Sequence, residues 1–526
     1  MIRVSNLKVP IALSENEDEL KKRIARAMAM PKHIILDYTI FRRSLDARKK
    51  GEIYYVYTVD VTVENPERVL QKKPSLTLTP QLQYELPKGS ARPKNRPVVV
   101  GFGPAGMFCG LILAELGLRP LILERGGDVT SRKEAVDLFW GKGILDTENN
   151  VQFGAGGAGT FSDGKLTTRI KDLRCRKVLE TFVEAGAKND ILFEAKPHIG
   201  TDILQGVVTK MADMITTLGG EIRYHAKVVD TKIENGVVVA VELQNKEVIP
   251  TNDLVLAVGH SARDTFSMLH EKGMHLEQKP FAVGVRIEHT QEMIQHAQFD
   301  SDDDNLPKAE YALTHTTKNG RGVYTFCMCP GGYVVGAASE ENRLAINGMS
   351  FHSRDGKNAN SAVLVQVYPA DFPSEHPLSG IEFQRSLEEK AFQLGGSDYT
   401  APVQRVGEFL QLSNHKNELQ PTYLPKTKSI DMAELFPPFI IESLREALPV
   451  FGKKLKGFHN GDGILTAVES RSSSPVRMVR NEHFESTAFS GLYPAGEGAG
   501  YAGGIISAAV DGIRVAEQIF EKYKES

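Results

Sequence analysis

Cysteine is scarce. Four in 526 residues are too few for a disulfide scaffold and fit a reducing cytoplasm. No run of about 18 apolar residues occurs, which argues against a membrane-spanning helix. The opening residues MIRVSNLKVP run straight into the acidic SENEDEL and hold no apolar core for a secretory signal, so a soluble, cytoplasmic location is expected. A dominant charge is lacking too: 63 Lys+Arg stand against 66 Asp+Glu, a net of −3, and no global polyanion-binding signature survives that balance. With 41% hydrophobic and 25% charged residues the chain sits near the globular norm, which excludes wholesale disorder. Its length leaves room for about three domains. What is abundant is glycine, 47 residues, and its clustering carries the information.

The overall balance hides an asymmetry. Residues 1–96 hold 19 Lys+Arg and 11 Asp+Glu, a net of +8, which leaves −11 for the rest. This segment reads as a strand (2–8), a helix (17–30) and two strands (33–44 and 53–63). Leu20, Ile24 and Ala27 mark the helix face, with Ser14 as its N-cap. The last strand, IYYVYTVDVTV, is β-branched and aromatic almost throughout. A basic α+β module at 1–86 is expected, either for docking or dimerisation or for an anionic partner, RNA or an acidic protein. Residues 87–97 (PKGSARPKNRP) read as a linker, because prolines, a glycine and cations leave nothing to bury. The acidic run 301–304 reads as a solvated loop.

Val98-Val99-Val100 is a short apolar run of the buried parallel-strand kind. It leads into Gly101-Phe102-Gly103-Pro104-Ala105-Gly106, then a helix over 107–116. Gly110 would let that helix pack closely on a strand, and Gly117 closes it. Residues 120–123 form the next strand, ended by Glu124, 23 residues after Gly101 and placed to accept from a ribose 2′-hydroxyl. Strand, glycine turn, helix, strand and terminal acid in this order point to a bound adenine dinucleotide. Gly101 permits the tight turn, and Gly103 omits a Cβ where the backbone approaches a pyrophosphate. The helix N-terminus supplies free N–H groups and a partial positive charge.

Two distant segments add to this. Residues 151–168 (VQFGAGGAGTFSDGKLTT) hold five glycines, Gly156 and Gly157 among them with Thr160 and Ser162 nearby, as expected of backbone crowding a ligand. Residues 491–510 (GLYPAGEGAGYAGGIISAAV) read as a strand, a glycine turn and a helix starting near Gly503. On these motifs the chain, from 97 to its end, resembles the glutathione-reductase-type FAD flavoproteins. More closely, it resembles a bacterial group of FAD-dependent, NAD(FAD)-utilising dehydrogenases. The resemblance implies FAD, with the pyrophosphate over 101–106 and an acid-Arg pair, Glu124-Arg125, after the second strand. It implies a late Ala-Gly-Asp whose acid binds the ribityl chain; here the triplet is Ala495-Gly496-Glu497, with Glu for Asp. It also implies a middle strand ending in Ala-x-Gly, matched by LVLAVG at 254–259 with Gly259. The preceding hairpin turns at Asn235-Gly236, with Val228 at the adenine. Gly504 and Ile505 would face the flavin N1–C2=O edge, where a helix N-terminus suits the charge of a reduced ring.

From 266 to 457 the α/β alternation breaks into strand-like FAVGVRIEH, YVVGAASEE and SAVLVQVYP. The predicted fold is therefore α/β: a Rossmann-like FAD-binding domain in two parts (98–265 and 458–526), an inserted β-rich α+β substrate domain, and the small N-terminal α+β module. No second strand–GxGxxG–helix unit occurs, so NAD(P)H, as a donor, would dock without a Rossmann site of its own. Cys327 and Cys329 in TFCMCPGG lie two apart, which on a strand aims both thiols at one face. They suit either a structural role near a glycine turn or a redox or substrate-facing one. The further ligands of a metal site are lacking. His260 suits an FAD phosphate or ribose, a catalytic base or a structural role. Glu469, Arg471, Arg477 and Arg480 suit an anionic substrate, the flavin edge or interface ion pairs. Lys165 suits flavin N5 or a phosphate. The expected function is an FAD-dependent oxidoreductase passing two electrons between flavin and a small organic substrate. The alternatives are a flavin-dependent RNA-modifying protein, a non-catalytic flavin scaffold and an FAD monooxygenase.

Overall fold

The computed structural model describes all residues except 15, 50, 82, 302, 304, 413–418 and 525–526. Two aspartates of the acidic run, Asp302 and Asp304, and Glu15 of SENEDEL thus lie outside the described residues. At the centre is a five-stranded parallel sheet in the order Leu492–Pro494, Leu254–Leu256, Val98–Val100, Leu121–Leu123, Glu221–Arg223. Four of its short strands are buried and apolar because both faces are covered, whereas the edge strand Glu221–Arg223 is polar at both ends and partly buried. Val99, Ile122 and Val255 pack under the helices Pro104–Glu115 and Ile505–Tyr523. Val98, Val100, Leu121 and Leu123 face the opposite way, against Val228, Val238 and Val241 of a three-stranded antiparallel sheet. Gly110 fills the expected role, since a Cβ there would sit 2.4 Å from Ile122 Cδ1.

The inserted part forms a seven-stranded sheet in the order Thr314–Thr316, Gly322–Cys329, Asn358–Val367, Phe281–Thr290, Ile464–Glu469, Ala401–Arg405, Thr427–Ser429. Its core is closed by the helices Ser379–Gly395 and Pro438–Lys454. The boundary expected at 457 is corrected by the strand Ile464–Glu469, which pairs with Phe281–Thr290 inside this sheet. Its apolar residues suit either domain, so composition alone does not place it. The segment at YVVGAASEE also stands apart, because among the described residues Tyr333–Gly336 pairs only with Ile346–Met349.

The N-terminal module is a split β-α-β arrangement: a four-stranded sheet in the order Asp37–Asp46, Tyr54–Thr62, Ile2–Pro10, Thr77–Leu78, with helices Glu17–Met28 and Pro66–Lys72. Ile2, Val4, Tyr57, Val59 and Val61 pack on Leu20, Ile24 and Met28. The first helix is capped by Asn16, whose side chain accepts from the Glu19 N–H, and not by Ser14. The module's cations are largely engaged: Arg3 with Asp60, Lys8 and Arg48 with Asp46, Arg43 with Glu194. It is also fastened to its neighbours. The Arg43 N–H donates to the Phe193 carbonyl and the Ala195 N–H donates to the Arg43 carbonyl, and Ile11 and Ile53 join the insert's core.

Residues 87–97 are not a free linker. Ala91 bridges to Lys524, Asn95 donates to Asn252, and Arg96 pairs with Glu221 at 2.7 Å. The prolines hold the chain extended, and its polar groups find partners along the domain surface. Among the described residues no helix is long and apolar enough to cross a membrane.

Candidate functional site

Four of the parallel strands deliver their carboxyl ends to one cleft, the position that open α/β sheets use for ligands. Gly101, Glu124, Ala257 and Ala495, each next to a strand end, line it. The cleft holds about 1450 Å³ of atom-free space, its open mouth included. Two helices begin there: Gly103, Pro104 and Ala105 line it from one, Gly503, Gly504 and Ile505 from the other.

The fingerprint turn is built on close backbone approach. Gly101 has φ +100°, and a Cβ on it would meet the Ala257 carbonyl oxygen at 2.4 Å. The segment from Gly154 onward crosses directly over this turn, and a Cβ on Gly157 would lie 2.9 Å from Gly103 Cα. That leaves a surface of bare backbone between Gly103 and Gly157, the shape a pyrophosphate needs. Gly106, Gly156 and Thr160, expected at the cofactor, do not line the cleft. They pack behind it: Gly106 against the Gly101 carbonyl, and Gly156 against Thr160, whose hydroxyl donates to Ala155 O. Ser162, Val228 and Gly259 do line it.

Glu124 is buried and accepts from three backbone N–H groups, Phe102 at 2.8 Å and Gly126 and Gly154 at 2.9 Å each. Its carboxylate therefore clamps the turn as well as facing the cleft. Arg125 lies over the Phe153 ring, 4.1 Å from its centroid, and shares Glu148 and Asp264 with Lys227.

At the other end of the cleft His260 Nδ1 meets Glu497 Oε2 at 2.7 Å, while Nε2 is buried without a partner. The second Glu497 oxygen accepts from the Ser474 N–H at 2.6 Å. Burial would raise the Glu497 carboxyl, but His260, Ser474 and Lys279 outweigh it and hold the acid below the usual carboxylate range.

The insert contributes Phe326, Cys327, Asn347, Glu469, Arg471 and Ser472. Behind them the fully buried Arg286 grips Glu469 through two hydrogen bonds of 2.8 and 2.9 Å, and also donates to Asn360 and the Cys327 carbonyl. Arg471 is equally committed. Its Nε and Nη2 reach Glu388 at 3.0 and 2.9 Å, and Nη1 reaches the hydroxyls of Ser261 and Ser339. Four of the five N–H groups of Arg471 are thus taken, and Nη2 lies 3.9 Å from Glu340 as well, which disfavours a role in holding an anionic substrate. Arg480 is bound to Asp511, and Arg477 lies outside the cleft.

The C-x-C pair does not share a face. A bulge falls between Phe326 and Cys329, and Cys327 adopts φ +42°. Cys327 lines the cleft, whereas Cys329 is buried with its Sγ 3.3 Å from the Cys327 carbonyl oxygen. Both are free thiols. Burial pushes Cys327 up to about 11 and Cys329 up to about 12, against the pull of Arg286. The surfaces that Cys327 and Glu497 expose open into the cleft, and the protein around it desolvates them. Lys165 is not in the cleft. It pairs with Asp163 at 2.7 Å and with Glu310, beside Arg354, and so ties the glycine segment to the insert.

Arg286 and Glu388 were missed in the sequence. The one available signal was an arginine inside the otherwise apolar strand FAVGVRIEH, since a buried cation requires a buried acid. FAD fits the donor set: bare backbone at Gly103 and Gly157, two helix N-termini, and an unmet imidazole nitrogen.

Residues 280–472 match the family described as FAD-dependent protein, C-terminal domain-like, and residues 1–62 match a domain of unknown function, DUF8436. The chain is 47% identical over 531 residues to an uncharacterized protein of Clostridium beijerinckii (strain ATCC 51743 / NCIMB 8052), covering 99% of each. Among solved structures it is similar to the flavin-dependent brominase Bmp2 (TM-score 0.38, 14% identity, 82% of this chain and 79% of that one). It is also similar to glycine oxidase from Geobacillus kaustophilus (TM-score 0.37, 10% identity, 83% and 96%). The chain thus belongs to the family of the clostridial protein, and its residues 280–472 carry the C-terminal domain of FAD-dependent proteins.

Proposed function

We propose that the chain binds FAD non-covalently along the cleft and is an FAD-dependent oxidoreductase acting on an uncharged organic substrate held against the insert. Its cofactor site would be of the glutathione-reductase type that the fingerprint resembles. The observation that carries this reading is the convergence of two helix N-termini, at Gly103–Pro104 and Gly504–Ile505, on one cleft at the strand ends. One suits a pyrophosphate, the other the charge of a reduced ring. When bound, FAD supplies the two-electron chemistry.

The chain's own residues do the rest. Gly101, Gly103, Ala105 and Gly157 offer backbone to the phosphates. Glu124, Arg125 and Val228 flank the adenosine end, and Phe326, Cys327, Asn347 and Ser472 shape the wall where a substrate rests. The uncharged character of the substrate follows from the lining. Among the described cleft residues, Glu469 is paired with Arg286, Arg471 with Glu388, and Arg125 and Lys227 with Glu148 and Asp264, while Glu124 is held by three backbone N–H groups and Glu497 by His260 and the Ser474 N–H. A charged substrate at the insert wall would have to break the buried Arg286–Glu469 or Arg471–Glu388 pair, at about 3–5 kcal/mol.

The test is direct. Purified protein should be yellow, release FAD on denaturation and, after NADH, NADPH or dithionite reduction, return electrons to neutral substrates in a panel. Oxygen consumed in step with substrate would move the reading to a monooxygenase. A colourless protein that FAD does not reconstitute would end it.

A further inference from the structure

We infer that His260 is a cofactor-binding residue: its Nε2 accepts a hydrogen bond from a hydroxyl of the ribityl chain, and Glu497 acts through it as a positioning residue. The inference rests on FAD occupying the cleft. In the flavoproteins that this chain resembles, the acid of the late Ala-Gly-Asp reaches the ribityl chain itself. Here the acid is one methylene longer, and both its oxygens are taken, one by His260 Nδ1 at 2.7 Å and one by the Ser474 N–H at 2.6 Å. What remains without a partner is the far side of the imidazole. His260 lines the cleft, and its Nε2 is buried and unpaired, a cost that a ligand would remove.

Strand order places this pair along the cofactor. The strands run Leu121–Leu123, Val98–Val100, Leu254–Leu256, Leu492–Pro494 across the sheet. Their ends carry Glu124 at the adenosine end, the fingerprint at the pyrophosphate, then His260 and Glu497. The last two therefore fall on the flavin side of the phosphates, where the ribityl chain lies. The tautomer decides the chemistry. With Nδ1 donating to Glu497, the Nε2 lone pair is the acceptor assigned here to a hydroxyl, whereas an Nε2–H would donate to a phosphate oxygen, the outcome that the analogue series separates.

The experiment measures dissociation constants by flavin fluorescence for FAD and for FAD analogues each lacking one ribityl hydroxyl. His260→Ala should weaken FAD about tenfold, the weight of one buried hydrogen bond. One analogue should bind wild type and His260→Ala alike. His260→Gln, which keeps an acceptor, should recover most of the affinity. Glu497→Gln should weaken FAD, and in the double variant with His260→Ala it should add no further loss. Apo-protein melting curves identify any variant that has lost its fold, and the analogue comparison within wild type then replaces it. An equal penalty for His260→Ala with every analogue would overturn the hydroxyl contact in favour of a phosphate. Unchanged FAD affinity in His260→Ala would overturn the inference outright. A wild type that binds no FAD would instead sink the cofactor reading beneath it.

Discussion

Replacing Glu124 separates a ligand from a clamp. A carboxylate that only met a ribose would cost cofactor affinity and leave the empty protein untouched. In the structure Glu124 also satisfies the N–H groups of Phe102, Gly126 and Gly154. In Glu124→Gln the amide oxygen can serve one side only. Turned toward Gly126 and Gly154 it leaves Phe102 facing an NH2 group; turned the other way it leaves two donors unmet. The better orientation strands one buried donor, at about 1–3 kcal/mol. Glu124→Ala strands three, and with water entering the gap about 3–5 kcal/mol is expected. Urea unfolding of the cofactor-free protein, followed by fluorescence and circular dichroism, should rank wild type above Gln above Ala. FAD affinity should fall in parallel. Apo stability unchanged in both variants, with only FAD affinity lost, would refute the clamp.

Three further outcomes are expected. Cys327, with its thiol raised to about 11, should react with iodoacetamide at neutral pH about a hundredfold more slowly than a free cysteine, faster as pH rises, and not at all once FAD fills the cleft; peptide mass spectrometry should find Cys329 untouched. Deleting residues 1–86 should lower the melting temperature, because Ile11, Ile53 and the Arg43–Glu194 pair are lost from an interface. It should leave flavin stoichiometry intact, since no described residue of the module lines the cleft. Asp163→Asn should destabilise by about 3–5 kcal/mol as a broken buried pair. Burial raises the Asp163 carboxyl, but Lys165 and Arg354 outweigh this and hold it well below the ordinary range. Its contribution is therefore complete above the unfolded value near 4 and is lost as pH falls through the folded one, so acid titration of wild type and variant should converge only below about pH 4.

The features legible in the sequence were those written in local spacing. Gly101 to Glu124 is one contiguous unit whose turn, helix and strand each constrain neighbours a few residues away, and the hairpin at Asn235-Gly236 is likewise local. What escaped depends on contacts across long separations or on single-residue irregularities. Arg286 finds Glu469 across 183 residues. The bulge that parts Cys327 from Cys329 shifts one strand against Asn358–Val367 and leaves no mark in the composition of TFCMCPGG. Lys165, surrounded by glycine, read as a ligand residue, yet Asp163, Glu310 and Arg354 converge on it from both domains. Residues 87–97 were read as free because they are polar, but polar chain also docks when a surface offers partners, as Glu221 and Asn252 do.

The strand Ile464–Glu469 has a mechanical consequence. It lies inside the insert's sheet, and the chain leaving it passes at once through Arg471, Ser472 and Ser474 before pairing as Val476–Met478 with Leu276–Gln278. On that short passage Arg471 is bolted to Glu388 of the insert and to Ser261 of the parallel-sheet domain, and Ser474 holds Glu497. A hinge between the two domains would have to tear these buried bonds apart. With the two domains fastened in this way, the route into the site is the open mouth of the cleft.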